Sequence, residues 1–113
     1  MSQITTHILD TALGTPAEGV PLSLKVLQAS TWVELAAGTT NHDGRVPNLL
    51  VRDAPLAAGT YCMRFETESY LQKTTGKVFY PWVEVVFCLD GSGDHYHIPL
   101  LLSPFGYATY RGS

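Results

Sequence analysis

The sequence is poor in charged residues, in cysteine and in long apolar runs. Only 15% of its 113 residues are Asp, Glu, Lys or Arg, and the net charge is -3. No basic cluster is present, so we expect no binding to a nucleic-acid backbone. The longest apolar runs, such as 85–89, are far shorter than a membrane span. We therefore expect neither a nucleic-acid partner nor a membrane partner.

Targeting signals are also missing. Residues 1–7 have neither the basic start nor the apolar stretch of a signal peptide, and the ending is not the Ser-Lys-Leu type, so the expected location is the cytoplasm. Cys62 and Cys88 are the two cysteines, and they form no Cys-x-x-Cys motif. Because free cysteines in apolar runs behave as small hydrophobes, we predict two buried, reduced thiols. A catalytic cysteine or a redox pair is the alternative.

What the sequence does contain indicates one all-β domain over residues 1–113. Apolar residues make up 45% of the chain, and ten Gly and seven Pro divide it into short segments. Several segments are rich in β-branched and aromatic residues or alternate with a period of two. Such spacing predicts an antiparallel sandwich or barrel. The predicted strands are 22–28, 32–35, 60–66, 82–87, 96–102 and 105–110.

Local signals refine this picture. Residues 66–73 favour one short helix, with acidic residues early and a lysine late. The Asp-Gly pair in 41–44 predicts a tight hairpin turn, from which Arg45 emerges directly. Pro99 cannot donate to a sheet ladder, so its strand is predicted at an edge or bulged. Exposed edges in so small a domain favour oligomerisation.

The four histidines are the first candidates for chemistry. His95 and His97 are two residues apart and share one face of a regular strand. With one further histidine they could form a three-histidine zinc site, and a bland pair of surface or packed histidines is the alternative. The sequence has no Gly-x-Ser-x-Gly nucleophile motif, no paired carboxylates and no phosphate loop. If the chain is an enzyme, neutral imidazole acting on water fits its residues best.

Four motifs resemble the transthyretin-like 5-hydroxyisourate hydrolases. They are ITTHILD at 4–10, DGR at 43–45, HYHIPLLLSP at 95–104 and YRGS at 110–113. The similarity covers residues 4–113. The histidines and the YRGS ending separate these hydrolases from the hormone-carrying transthyretins, which lack them. Family members often have Tyr and Ser where this chain has Phe105 and Ala108.

The resemblance implies a transthyretin-like β-sandwich of two four-stranded sheets with one short helix. It implies a homotetramer, a dimer of dimers, with sites at the interface between dimers. The implied reaction converts 5-hydroxyisourate, a purine-derived substrate, to 2-oxo-4-hydroxy-4-carboxy-5-ureidoimidazoline in urate degradation. No metal or organic cofactor is implied. The alternatives are a transthyretin-like protein that binds or carries a small ligand, and a purely structural β domain.

The resemblance also implies the functional residues. His7, Arg45 and His97 are the expected catalytic groups. We expect His97 to be the base for an attacking water, with His7 orienting that water or sharing the role of base. An adjacent guanidinium lowers the pKa of an imidazole, so Arg45 should keep both histidines uncharged. Its planar fork should also hold the substrate's oxygens. The expected substrate-binding residues are His7, Arg45, Tyr110, Arg111, Gly112 and Ser113.

Overall fold

Two four-stranded sheets form the protein, which is described here from a computed structural model over residues 2–50 and 55–112. One sheet has the order β2 (Thr15–Pro16), β1 (Ile4–Asp10), β7 (Tyr96–Ser103), β8 (Gly106–Thr109). The other has the order β4 (Thr31–Thr39), β3 (Pro21–Gln28), β5 (Gly59–Phe65), β6 (Val83–Leu89). A single helix among the described residues, α1 (Glu68–Thr74), connects β5 to β6. The expected two-sheet sandwich with a short helix is confirmed.

Strand pairing departs from the sequence prediction at β1. This strand pairs in parallel with β7, from Ile4 opposite Tyr96 to Asp10 opposite Leu102, whereas the other named ladders are antiparallel. The sequence did not predict β1, because two of its four buried side chains, Thr6 and Asp10, are polar. Its inward face therefore does not show as an apolar pattern.

Buried side chains from both sheets form the core. Ile8 and Leu100 of the first sheet and Leu24, Met63 and Phe65 of the second are fully buried. Interdigitation of two inner faces is how a sandwich removes apolar area from water. Each sheet then keeps an outer face free for polar side chains.

The buried Asp10 carboxylate anchors the end of β1. Its Oδ1 accepts hydrogen bonds from the main-chain N–H groups of Ala12 (2.9 Å) and Leu13 (3.0 Å). Its Oδ2 accepts one from the Tyr70 hydroxyl of α1 at 2.7 Å. Burial and this hydrogen bond raise the pKa of Tyr70 above its ordinary value. The short helix is thereby fixed to the strand that carries His7.

The helix and the turn agree with the sequence prediction in part. The helix begins at Glu68 rather than at Glu66, since the Glu66 N–H donates to the Pro21 carbonyl and extends the sheet. At seven residues α1 is too short to cross a membrane, and no other helix within the described ranges could do so. The turn at 41–44 is present, with the Gly44 N–H donating to the Asn41 carbonyl at 2.9 Å. The Asn41 N–H also donates to the Arg45 carbonyl at 2.8 Å, but no strand follows the turn in residues 46–50, and Arg45 forms a single bridge to His7 of β1.

Pro99 lies in an interior strand, so its predicted edge position is wrong. β1 and β8 flank β7 on its two sides. The ladder between β7 and β8 ends at Leu100 opposite Thr109, and a separate bridge joins His97 to Gly112. The proline falls between these two pairings, and its carbonyl accepts a hydrogen bond from the Thr109 hydroxyl at 2.7 Å. An interrupted ladder therefore accommodates the missing N–H donor.

The two cysteines differ in exposure. Cys62 in β5 is buried and reduced, as predicted, and burial raises the pKa of its thiol. Cys88 in β6 is reduced but exposed, so its predicted burial is wrong. It points away from the core on an edge strand, where an apolar run in the sequence does not imply burial.

Candidate active site

Two histidines lie on the outer face of the sheet that contains β1 and β7. In β1, Thr5 and His7 are half-buried and alternate with residues buried in the core. In β7, His97 is half-buried between two buried neighbours. The register places Thr5 directly opposite His97, so His7 is displaced from His97 by two residues along the strand. Adjacent strands lie about 4.8 Å apart, which brings the two imidazoles onto one patch.

Arg45 reaches this patch from the turn at 41–44. A main-chain bridge pairs Arg45 with His7, on the edge of β1 opposite β7. The turn is organised by the Asn41 side-chain oxygen, which accepts hydrogen bonds from the N–H groups of Asp43 (2.9 Å) and Arg45 (3.1 Å). The Ile8 N–H donates to the Gly44 carbonyl at 2.9 Å and holds the turn against the strand. The guanidinium is therefore presented, exposed, beside His7.

Gly44 is required at this contact. Its φ of +74° lies in the left-handed region that glycine adopts without steric cost. A Cβ there would lie 2.5 Å from the Ile8 carbonyl oxygen and 3.3 Å from His7 Cδ2. The absence of a side chain lets the turn pack directly against the imidazole ring.

The environment favours neutral imidazoles. Burial lowers the pKa of His7, and the Arg45 charge lowers it further, against the opposing effect of Asp43. Burial also lowers the pKa of His97, assisted by Arg45, His7 and His95 and opposed by a hydrogen bond to the Thr5 main chain. A neutral imidazole can accept a proton from water, and a guanidinium beside it can stabilise a developing negative charge.

The segment after β8 closes the other side of the patch. The Gly112 N–H donates to the His97 carbonyl at 2.8 Å. A Cβ on Gly112 would lie only 2.6 Å from His97 Cδ2, so glycine is needed for this close approach. Tyr110, two residues earlier, is exposed and lines a cavity beside β6 and β7. Ser113 lies outside the described residues.

Arg111 is directed elsewhere within one chain. Its guanidinium lies 4.1 Å above the centre of the Tyr96 ring. Tyr96 and His97 are consecutive in β7, so they point to opposite faces of the sheet. Arg111 instead lines a cavity of about 450 Å³ between β6 and β7. Phe105 and Ala108, the two departures from the family pattern, are both exposed near β8.

Thr5 is a residue of this patch that the sequence did not indicate. Its Oγ1 lies 2.8 Å from His97 Nδ1 and 2.9 Å from His95 Nε2, so one hydroxyl joins two imidazoles. Only the register of β1 against β7 shows that Thr5 lies opposite His97, and the sequence does not give this register. Within residues 2–50 and 55–112, no three His, Cys, Asp or Glu side chains are grouped so that they could hold a metal ion. These residues thus do not form the three-histidine zinc site considered from the sequence.

Comparison with known proteins identifies the class to which this fold and site belong. Residues 4–112 match the HIUase/Transthyretin family, and the chain belongs to that family. Among its relatives is the 5-hydroxyisourate hydrolase of Mus musculus, 48% identical over 114 residues, which span 99% of this chain and 96% of the mouse protein. Its relatives thus include proteins named as hydrolases.

Solved structures of two kinds share the fold. A sea bream transthyretin in complex with thyroxine superimposes with a TM-score of 0.90 at 34% identity, covering 98% of this chain and 95% of that one. The Klebsiella pneumoniae 5-hydroxyisourate hydrolase superimposes with a TM-score of 0.80 at 39% identity, covering 97% and 98%. Because the same fold carries a hormone-binding protein and a hydrolase, the side chains of the site must decide between them.

Proposed function

We propose that this protein hydrolyses 5-hydroxyisourate to 2-oxo-4-hydroxy-4-carboxy-5-ureidoimidazoline. The observation that carries the proposal is the pair of imidazoles with lowered pKa, His7 and His97, on one sheet face beside the Arg45 guanidinium. Relatives of nearly equal length that are named 5-hydroxyisourate hydrolases support the choice of substrate. The proposed reaction uses no metal and no organic cofactor.

The proposed mechanism is attack of water on a ring carbonyl of the substrate. His97 takes a proton from the water as its oxygen bonds to the carbonyl carbon. The ring C–N bond then breaks, and the imidazolium returns the proton to the departing nitrogen. General-base catalysis of this kind contributes about 10²- to 10⁴-fold to a rate. His7 orients the water, in reach of the same substrate face.

Arg45 has two functions in this proposal. Its positive charge disfavours the imidazolium form of both histidines in the resting enzyme. Its guanidinium also stabilises the oxyanion that forms on the attacked carbonyl, an effect of about 10²- to 10³-fold in other hydrolases. The remaining substrate contacts are assigned to Tyr110, Arg111, Gly112 and Ser113.

The proposed assembly is a homotetramer, a dimer of dimers, with the sites at the interface between dimers. Edge strands β6 and β8 carry few charged residues to protect their open edges, a condition that favours pairing with another copy. A neighbouring copy offers a way for Arg111 to contribute, because within one chain Arg111 points away from His97.

Binding of an apolar ligand is the second candidate function. The similarity to a transthyretin that holds thyroxine favours it. Against it, the outer face here presents Thr5, His7, His97 and the adjacent Arg45, which make a polar surface rather than an apolar one. Small-molecule sites are mostly apolar with a few polar groups. Two imidazoles and a guanidinium would contribute little to the binding of an apolar ligand.

The test is a hydrolysis assay with freshly generated 5-hydroxyisourate, followed by the decay of its absorbance. We expect the wild-type protein to accelerate the decay, with unchanged activity after dialysis against a chelator. His97→Asn should lower kcat/KM by at least about 100-fold without changing the fold. His42→Asn, at an exposed turn position, is the matched control and should be as active as wild type. No acceleration by the wild type would refute the proposed function, and full activity of His97→Asn would remove His97 from the mechanism.

A further inference from the structure

The Thr5 hydroxyl of β1 lies between two imidazole rings. One belongs to His97 in β7, and the other belongs to His95, just before the start of β7. The hydroxyl oxygen lies 2.8 Å from His97 Nδ1 and 2.9 Å from His95 Nε2. Both distances are those of full hydrogen bonds. The other threonine of the pair, Thr6, faces the core and donates to the Ile98 carbonyl at 2.6 Å. Only Thr5 therefore contacts the patch that carries the histidines.

A threonine hydroxyl has one proton, which limits how these bonds can run. If Thr5 donates to His95 Nε2, it accepts from His97 Nδ1–H. In the reverse direction, the Thr5 hydroxyl donates to His97 Nδ1. That nitrogen then carries no hydrogen, so the ring hydrogen of His97 is on Nε2. The hydrogen bond made by one ring nitrogen thus decides which nitrogen of His97 is free.

Only one of the two directions allows His97 to act as a base. With Nδ1–H donating to Thr5, the free nitrogen is Nε2, which can take a proton from water. The imidazolium that results keeps its Nδ1–H, so the hydrogen bond to Thr5 survives proton transfer without rearrangement. In the reverse direction Nε2 already carries a hydrogen and the Thr5 proton blocks Nδ1.

We propose that Thr5 is a positioning residue that holds His97 in its Nδ1–H tautomer, with His95 as the acceptor that orients the Thr5 hydroxyl. This inference rests on the proposed function for its catalytic meaning. Arg45, His7 and His95 face His97 and lower its pKa, and a hydrogen bond to the Thr5 main chain raises it. A change of the Thr5 side chain leaves that main-chain contact in place, so it isolates the effect of the hydroxyl. Thr5 and His95 determine whether the Thr5 hydroxyl accepts from His97 Nδ1–H or donates to Nδ1. Nearby charges alone do not determine this direction.

The tautomer can be measured without substrate. Long-range proton–nitrogen NMR on protein with labelled histidine distinguishes a ring nitrogen that carries hydrogen from one that does not. At about pH 8, where histidines are neutral, we expect hydrogen on Nδ1 of His97 and a bare Nε2. Thr5→Val removes the hydroxyl and keeps the β-branched shape, and we expect the His97 signal to shift towards the Nε2–H tautomer. Thr5→Ser keeps the hydroxyl and should keep the wild-type spectrum.

Activity provides the second readout. We expect Thr5→Val to lower kcat/KM by about 10- to 100-fold and Thr5→Ser to restore most of it. Thr6→Val is the matched control, since it removes a hydroxyl from the opposite face of the same strand. It should leave the His97 spectrum and the kcat/KM of the folded protein unchanged even where it lowers the melting temperature.

The outcomes separate this inference from the proposed function. An Nε2–H tautomer of His97 in the wild type overturns the inference, as does a Thr5→Val variant in which either the spectrum or kcat/KM is unaltered. A fall in activity matched by Thr6→Val indicates a structural effect and also overturns it. A wild type that does not hydrolyse 5-hydroxyisourate refutes the proposed function, and the NMR spectra still decide the tautomer.

Discussion

Arg45 shows how a single side chain can set the working pH of this site. It is exposed, yet its charge is the second cause, after burial, of the lowered pKa of both His7 and His97. An imidazole whose pKa lies below its ordinary value of about 6.5 stays neutral, and so competent as a base, into mildly acidic solution. The acid side of the pH profile therefore reports the charge at position 45.

Removal of that charge should move the acid limb of the pH profile. We expect the midpoint of kcat/KM to lie below about pH 6.5 in the wild type and to rise towards that value in Arg45→Gln, since loss of the cation favours the imidazolium. Arg45→Lys keeps the charge and should keep the midpoint, although loss of the fork lowers kcat/KM. Profiles across about pH 5 to 8 measure this, and an unmoved midpoint in Arg45→Gln would contradict it.

Residue identity alone could predict only part of the candidate site. The spacing of His95 and His97 and the Asp-Gly turn before Arg45 were visible in the sequence, and the family motifs indicated His7. Thr5 could not be identified, because its importance depends on the register that sets it opposite His97 across 92 residues of chain. Register is a tertiary property, and a shift of one residue would turn Thr5 to the core.

Among the elements, the segment after β8 depends on the absence of a side chain at Gly112. It returns to β7 at one bridge, from Gly112 to His97, after the interruption beside Pro99. The sequence indicated that Pro99 interrupts a ladder, but not that the strand is interior, because a proline shows only that one N–H is missing. Which strands flank the strand that contains Pro99 depends on the pairing of the whole sheet.

Gly112→Ala should displace the imidazole of His97. The added Cβ would lie 2.6 Å from Cδ2 and 3.2 Å from Cγ of that ring, so the ring or the segment has to move. We expect kcat/KM to fall by about 10- to 100-fold, since small misplacements of a reacting group are costly. Gly106→Ala is the matched control, because its Cβ would meet only Ser103 Oγ at an ordinary 3.6 Å. Equal activity of the two variants would contradict this account.

At the scale of the whole molecule, the two edges on one side of the sandwich are left open. β6 ends one sheet and β8 ends the other, and residues of both line the cavity that holds Arg111. Exposed edge strands with few charged residues are a liability for an isolated domain. Their pairing with a second copy, as proposed, would cover the cavity and bring Arg111 close to another subunit.

A charge placed in the middle of β6 should weaken that assembly. Val86 is the midpoint of the strand and is 58% exposed. Two copies that pair antiparallel about a twofold axis at this midpoint would place like charges opposite each other in Val86→Lys. We expect the dissociation constant of the oligomer to rise at least about tenfold by analytical ultracentrifugation. Val33→Lys, on the opposite edge strand β4, is the control, and equal dissociation of both variants would contradict pairing through β6.

The parallel ladder between β1 and β7 also has a consequence for folding. It joins residues 92 positions apart, so almost the entire chain must be threaded into place before Thr5 meets His97. Contacts between such distant residues form slowly, because the entropy of closing a long loop is lost before any pairing compensates for it. Partly folded states would consequently contain both sheets' local hairpins and still lack a working catalytic centre. The return of enzymatic turnover after dilution from denaturant would then mark the final step of folding rather than its beginning.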